Sequence, residues 1–257
     1  MRLPTKTIAV FLIISLALVF IMGYIWGILK NSDYFKIRDI LCKEGGAVEF
    51  SYLKGRNIFS VDLNNESRRL LDRYPDCSSI KLARLLPDKI YVDFLRRKPV
   101  AFVKLYRYFT VDQDGFLFCA PDQPQDSSLP VITGLETKIF GPKPGRKYNT
   151  REISLALYII KEFNANRVLK RLVIKKIDMA NFSNASIFLG RGSRDLEVRL
   201  GPDNIKDKIS ILAGVIIQAS KDLGTLKYID LRFKEPVIKF NSPSEALARE
   251  TKRQGAH

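Results

Sequence analysis

The segment SIKLARLLPDKIYVDFLRRKPVAFV, residues Ser79 to Val103, reads as two strands joined by a tight turn. Ile80, Leu82 and Arg84 share one face of the first strand, with Lys81 and Ala83 on the other. Ile90, Val92 and Phe94 then alternate with Tyr91, Asp93 and Leu95. A period of two belongs to a strand with one buried face. Pro87-Asp88 supplies the turn, because proline fixes φ and aspartate tolerates turn geometry. Pro99 ends the run, having no N–H to donate to a sheet ladder.

Upstream of the hairpin, Asp62 is a good helix N-cap, since its carboxylate can accept the free N–H groups of a first turn. Leu63, Ser67, Leu70, Leu71 and Tyr74 follow at helical spacing, and Tyr74-Pro75 stops the helix. Gly55-Arg56-Asn57-Ile58-Phe59 is a turn, Ala47 to Lys54 a short helix, Gly45-Gly46 a break, and Tyr34 to Ile40 a strand with Phe35 and Ile37 on one face. The order from Asp33 to Ala101 is therefore strand, helix, helix, strand, strand (βααββ). Two helices can cover one face of a three-stranded sheet and close a small core.

Before this unit, Ile8 to Leu29 is apolar apart from Ser15. Roughly 33 Å of helix results, sufficient to cross a bilayer. Arg2 and Lys6 precede it, which predicts a cytoplasmic N-terminus, with Tyr24 and Trp26 near the far interface. A cleaved signal peptide would need a shorter apolar core and an A-x-A site. The segment reads instead as a retained anchor, with the rest of the chain outside the cytoplasmic membrane.

Downstream, residues 102–240 read as a second, β-rich unit. Asp112-Gln113-Asp114-Gly115 lies between apolar runs and marks a hairpin, because glycine takes φ > 0 freely. The later ligands and closing glutamate of a calcium loop are missing. Pro121 to Ser128 is a polar loop. Asn149 or Thr150 caps a helix whose apolar stripe is Ile153, Ala156, Leu157, Ile160 and Phe163. Strands follow at Leu172–Ile177, Ala185–Leu189 and Asp195–Leu200. Pro202 then opens a helix with Ile205, Ile209, Leu212, Ala213, Ile216 and Leu223 buried, stopped by Gly224. The last strands are Leu226–Phe233 and Val237–Phe240, and the polar tail 241–257 is expected to be disordered.

The 257 residues carry 43 Lys and Arg against 27 Asp and Glu, a formal charge of +16. An anionic neighbour or simply a solvated basic surface is implied, and the anchor removes most of the case for nucleic acid. Cys42, Cys77 and Cys119 have neither zinc nor disulfide-framework spacing. His257 is the only histidine, so a histidine-based triad or multi-histidine metal site is not expected. There is no Gly-rich phosphate loop, G-x-S-x-G or Ser-x-x-Lys. A non-enzymatic protein with no catalytic residue, metal, cofactor or small-molecule substrate is expected.

Several phrases, in order behind a single apolar helix, resemble those of the FtsQ/DivIB family of bacterial division proteins, which carry a POTRA domain. They are Phe35-x-Ile37-x-x-Ile40, Gly55-x-Asn57-Ile58-Phe59-x-Val61-Asp62, Tyr74-Pro75, and Arg84-x-x-Pro87-Asp88-x-Ile90-x-Val92 followed by Arg97-Lys98-Pro99-Val100-Ala101. Leu129-Pro130-Val131-Ile132-x-Gly134 and Tyr228-Ile229-Asp230-Leu231-Arg232-Phe233 continue the resemblance to the far end. Arg96 departs from it, standing where the family usually carries an acidic residue. The resemblance implies an α+β protein: a single transmembrane helix (8–29), a POTRA domain (33–101), and a mixed domain dominated by an antiparallel sheet (102–240). It also implies a bitopic divisome scaffold at the division septum, bound to an FtsB/FtsL-like coiled-coil pair and influencing septal wall synthesis. The rivals are a POTRA-containing outer-membrane assembly or secretion factor, which would need repeated units or a barrel, and a membrane-anchored wall-binding enzyme, which would need a nucleophile or metal site. Pro236 precedes the last strand, as befits an edge. The family extends a sheet with FtsB near the Tyr228–Phe233 phrase. The implied contact residues are Tyr228, Leu231, Arg232, Phe233, Val237, Ile238, Lys239 and Phe240.

Overall fold

The structure, a computed structural model, describes residues 5–43, 50–119, 128–191, 194–219 and 226–240. The chain divides into two compact units, Met1–Arg96 and Arg97–His257.

The first unit opens with α1 (Thr5–Asn31). Among the described residues it is the one helix long and apolar enough to cross a membrane; its Val10–Asn31 portion has a mean hydropathy of 2.5, and none of these residues is fully buried within the protein. The strand expected at Tyr34 starts later. Ser32 accepts a hydrogen bond from the Tyr34 N–H at 3.3 Å and closes a 3-10 turn over Asp33–Phe35, so β1 is Asp39–Cys42. Of the helix expected over Ala47 to Lys54, the described part is a single 3-10 turn, Ser51–Leu53; Gly45-Gly46 lies outside the described residues. α2 (Leu63–Arg73) begins at Asp62, whose Oδ1 accepts from the N–H groups of Asn64 and Asn65 at 3.0 and 3.2 Å.

The hairpin is β2 (Cys77–Leu85) and β3 (Lys89–Arg96), with a cis Leu86–Pro87 peptide in its turn. β3 is central, antiparallel to β2 and parallel to β1. The family-like words acquire physical reasons here. Arg84, on the inward row of β2, donates to the carbonyls of Ile58 (2.9 Å) and Val61 (2.8 Å), fixing the loop that leads into α2. The Asp88 carbonyl accepts the Arg38 N–H at 2.9 Å and so positions the start of β1. Ile37, Leu53, Ile58, Val61, Leu70, Ile80, Ile90 and Val92 form the core. The helix stripe needs one adjustment: Leu70 is 4% exposed, whereas Leu71 only packs half-buried against the core. Glu66 shares the buried side of α2, accepting from Tyr52 Oη at 3.1 Å and Arg69 Nη1 at 3.0 Å. Arg96, the departure from the family phrase, pairs with Asp76 at 3.5 Å.

The second unit contains β4 (Ala101–Lys104), β5 (Tyr108–Val111), β6 (Phe116–Cys119), β7 (Val131–Thr133), β8 (Arg146–Lys147), α3 (Arg151–Ala165), β9 (Val173–Asp178), β10 (Ser186–Arg191), β11 (Arg194–Arg199), α4 (Ile205–Gln218), β12 (Leu226–Asp230) and β13 (Val237–Phe240). Its described strands form one sheet of order β13-β12-β11-β10-β9-β7-β4-β5-β6-β8. The pairs β4–β7, β7–β9 and β11–β12 are parallel and the others antiparallel.

The β5–β6 turn is held by Asp112. Its Oδ1 accepts from the N–H groups of Asp114 and Phe116 at 3.0 and 2.9 Å, while Gly115 takes φ 84°. Its Oδ2 meets Arg97 Nη1 at 2.6 Å, with both side chains buried and the guanidinium 3.9 Å from the Phe116 ring centre. Gly134 follows β7 at φ 83°, and a β-carbon there would overlap the backbone of Ala180. Only glycine fits, because both the torsion and the space exclude a side chain.

α3 and α4 cover one face of the sheet. Ile153, Ala156, Ile160 and Phe163 are buried in the expected stripe, joined by Leu155 and Ile159, while Leu157 is half-buried. Ile205, Ile209, Leu212, Ala213 and Ile216 are buried on α4. Pro202 does not open α4, which starts three residues later behind Asn204 in a left-handed conformation (φ 52°). Leu223, Gly224 and the tail 241–257 lie outside the described residues.

Candidate partner-binding edge

One row of side chains crosses the sheet under the helices. The pairing register aligns Phe109, Val103, Ile132, Ile177, Ile187, Val198 and Ile229, each 0% exposed, and then Ile238 on β13. Ile238 is 37% exposed because β13 is the last strand of the sheet and pairs on one side only among the described residues. Val237, Lys239 and Phe240 are exposed as well. Such a strand presents backbone N–H and C=O groups on its free side, together with apolar side chains that continue the buried row.

On the opposite face the register sets Phe188, Glu197, Tyr228 and Lys239 side by side across β10 to β13. Tyr228 is half-buried, with the Arg199 guanidinium 4.4 Å from its ring centre. Arg199 is held by Glu197, at 2.8 Å from Nε to Oε1 and 3.2 Å from Nη2 to Oε2, and this pairing raises its pKa.

The strand expected to run to Phe233 ends at Asp230. The Asp230 carboxylate, 3% exposed, accepts from the backbone N–H of Arg232 at 3.1 Å and from its Nε at 2.9 Å, which turns the chain out of the sheet. Its Oδ2 lies 2.5 Å from Arg232 Nη2 and 3.9 Å from Arg199 Nη1. Hydrogen bonding to Arg232 holds the Asp230 pKa below the ordinary carboxylate value, despite burial. Arg232 also reaches Asn184 Oδ1 at 2.5 Å.

The implied contact residues therefore separate by environment. Val237, Ile238, Lys239, Phe240 and Phe233 are exposed, Phe233 at 63%. Tyr228 stands beside Lys239 on one face. Arg232 is engaged by Asp230 and Asn184, so an acidic partner would have to compete for it. Leu231 is buried, 2% exposed, and its N–H donates to the Arg199 carbonyl at 2.8 Å. Glu197 and Arg199 border the edge and escape a reading of the sequence. Their alternation marks a polar face, but only the parallel β11–β12 pairing sets them next to Tyr228. Among the described residues no cluster of three or more His, Cys, Asp or Glu stands close enough to hold a metal ion. Burial pushes the Cys42 thiol pKa up.

The chain is similar to the cell division protein FtsQ of Syntrophotalea carbinolica, 24% identical over 214 residues, covering 80% of this chain and 74% of that protein. It is 25% identical over 226 residues to that of Neisseria gonorrhoeae, covering 83% and 82%. With FtsQ of Koribacter versatilis it is 26% identical over 187 residues, 71% of this chain but about half (52%) of the relative. The family described as cell division protein FtsQ/DivIB, C-terminal, matches residues 101–232, from the first strand of the large sheet to the arginine that Asp230 grips. With half its length matched, including the whole sheet up to β12, the chain belongs to the FtsQ/DivIB family of cell division proteins.

Proposed function

We propose that this protein is a bitopic, non-enzymatic scaffold of the divisome. α1 anchors it in the cytoplasmic membrane with the N-terminus inside, and both folded units lie outside, the first serving as a POTRA domain over 33–101. β13 accepts a strand from an FtsB/FtsL-like partner, linking early to late division proteins and so influencing septal wall synthesis at the septum. Strand addition supplies affinity through backbone hydrogen bonds and specificity through alternate side chains. No covalent bond is made or broken.

The observation that supports this reading is the exposure of β13 at the end of a row that is otherwise fully buried. An incoming strand would cover Ile238 and Phe240 on the helix side, with Lys239 available to an acidic residue on the other. Adjacent residues of an antiparallel edge strand direct their N–H groups alternately inward and outward. Ile238→Pro and Lys239→Pro, made separately, thus remove one ladder donor and one outward donor. The outward one should abolish capture of a coiled-coil partner from dividing cells while circular dichroism remains that of the wild type. Wild-type capture by both variants would exclude strand addition at this edge.

A further inference from the structure

We propose that the loop from Lys54 to Phe59 is a lipid-contact element, which seats the first unit in the headgroup layer and binds phosphates of anionic phospholipid through Lys54 and Arg56. The proposal rests on the reading of α1 as a membrane anchor.

Depth is the first argument. The apolar run ends at Leu29, and there the loop is attached: Asn57 Nδ2 donates to the Leu29 carbonyl at 2.9 Å and to the Ser32 carbonyl at 3.4 Å. The last carbonyls of a helix lack intrahelical donors, so this amide completes the end of α1. The loop backbone thus stands within one side-chain length of the point where the helix leaves hydrocarbon.

Rigidity is the second. The Ile37 N–H donates to the Arg56 carbonyl and the Gly55 N–H to the Ile37 carbonyl, both at 2.9 Å. Phe59 N–H donates to Asn57 Oδ1 at 2.9 Å, and its ring lies 5.7 Å from that of Trp26 on α1 and 5.2 Å from that of Phe35. Trp26 remains half exposed, as suits an interfacial aromatic. The loop cannot lift from the end of α1 without losing these contacts.

Charge is the third. At this neck Asp33 is taken by Lys36 at 2.7 Å and Asp88 faces Arg38 at 3.7 Å. Lys54 and Arg56 are exposed and have no carboxylate partner among the described residues, and the Lys30 ammonium lies 5.5 Å from the Trp26 ring centre. Unneutralised cations fixed at headgroup depth attract lipid phosphate, and an anionic wall polymer farther out would not need them at that depth.

Trp26 is the only tryptophan and reports on its own lipid shell. The full chain is reconstituted in phosphatidylcholine vesicles containing a minority of phosphatidylglycerol, with brominated acyl chains on one lipid or the other. Brominated phosphatidylglycerol should quench Trp26 beyond its mole fraction. In Lys54→Glu/Arg56→Glu its relative association should fall ~5-fold, with quenching by brominated phosphatidylcholine unchanged. Lys161→Glu/Lys170→Glu in the second unit should leave the preference intact. An unaltered preference in the loop variant, or an equal fall in the second-unit variant, overturns the proposal while leaving the anchor standing. Absence of quenching by brominated phosphatidylcholine in the wild type overturns the anchor, and the proposal with it.

Discussion

Asp230 carries the most consequential side-chain chemistry near the edge. It ends β12, turns the chain through the Arg232 N–H and neutralises two arginines while almost wholly buried. Its folded-state pKa is depressed, chiefly by Arg232, relative to an unfolded value of about 3.9. The stabilisation is therefore fully present above that unfolded value and is lost as pH falls through the lower folded one. Asp230→Asn should destabilise the second unit by about 1.5–3 kcal/mol at neutral pH, the worth of hydrogen bonds to a charged group. Below pH ~4 the difference should shrink, because the wild type loses there what the variant already lacks. Urea unfolding of the full chain in detergent, followed by circular dichroism at neutral and acid pH, measures both. A wild-type advantage that grows on acidification would contradict the assignment.

Among the elements, α2 separates what helical spacing tells from what packing decides. Leu63, Leu70 and Leu71 all lie on a plausible stripe, and from spacing alone Leu71→Asp should unfold the first unit. The structure buries Leu70 and leaves Leu71 half-buried, because the sheet meets α2 on the side that also holds Glu66. Leu70→Asp should therefore abolish the cooperative thermal transition of the first unit, at a cost of about 4 kcal/mol or more for an unpaired buried charge. Leu71→Asp should cost only about 1–2 kcal/mol and leave a transition at lower temperature. Equal effects of the two on circular dichroism melts would refute this register. Glu66 itself would not be chosen as a buried residue from composition, since carboxylates are rarely buried unless paired. Tyr52 and Arg69 supply its partners, and only the first of these comes from outside the helix.

At the scale of the whole molecule, the proposed function implies a topology across the membrane. A phosphatase fused to the C-terminus should be active and a cytoplasmic reporter at the same position silent; the reverse pattern would sink both the topology and the divisome scaffold. The features legible in the sequence were those written in local patterns: the apolar length of α1, the period-two alternation of the β2–β3 hairpin, the caps at Asp62 and Thr150, the Asp-Gly turn before β6, and the stripes of α3 and α4. Each follows from backbone torsions or from one face meeting water, so neighbouring residues suffice to specify it. Tertiary structure alone decided the rest. The order of the described strands interleaves segments distant in the chain, and α4 starts at Ile205, behind a left-handed Asn204, and not at Pro202. Leu231 is buried although it sits in the same phrase as the exposed Phe233. Burial and register depend on which strands meet, a pairing between residues far apart that no local periodicity encodes.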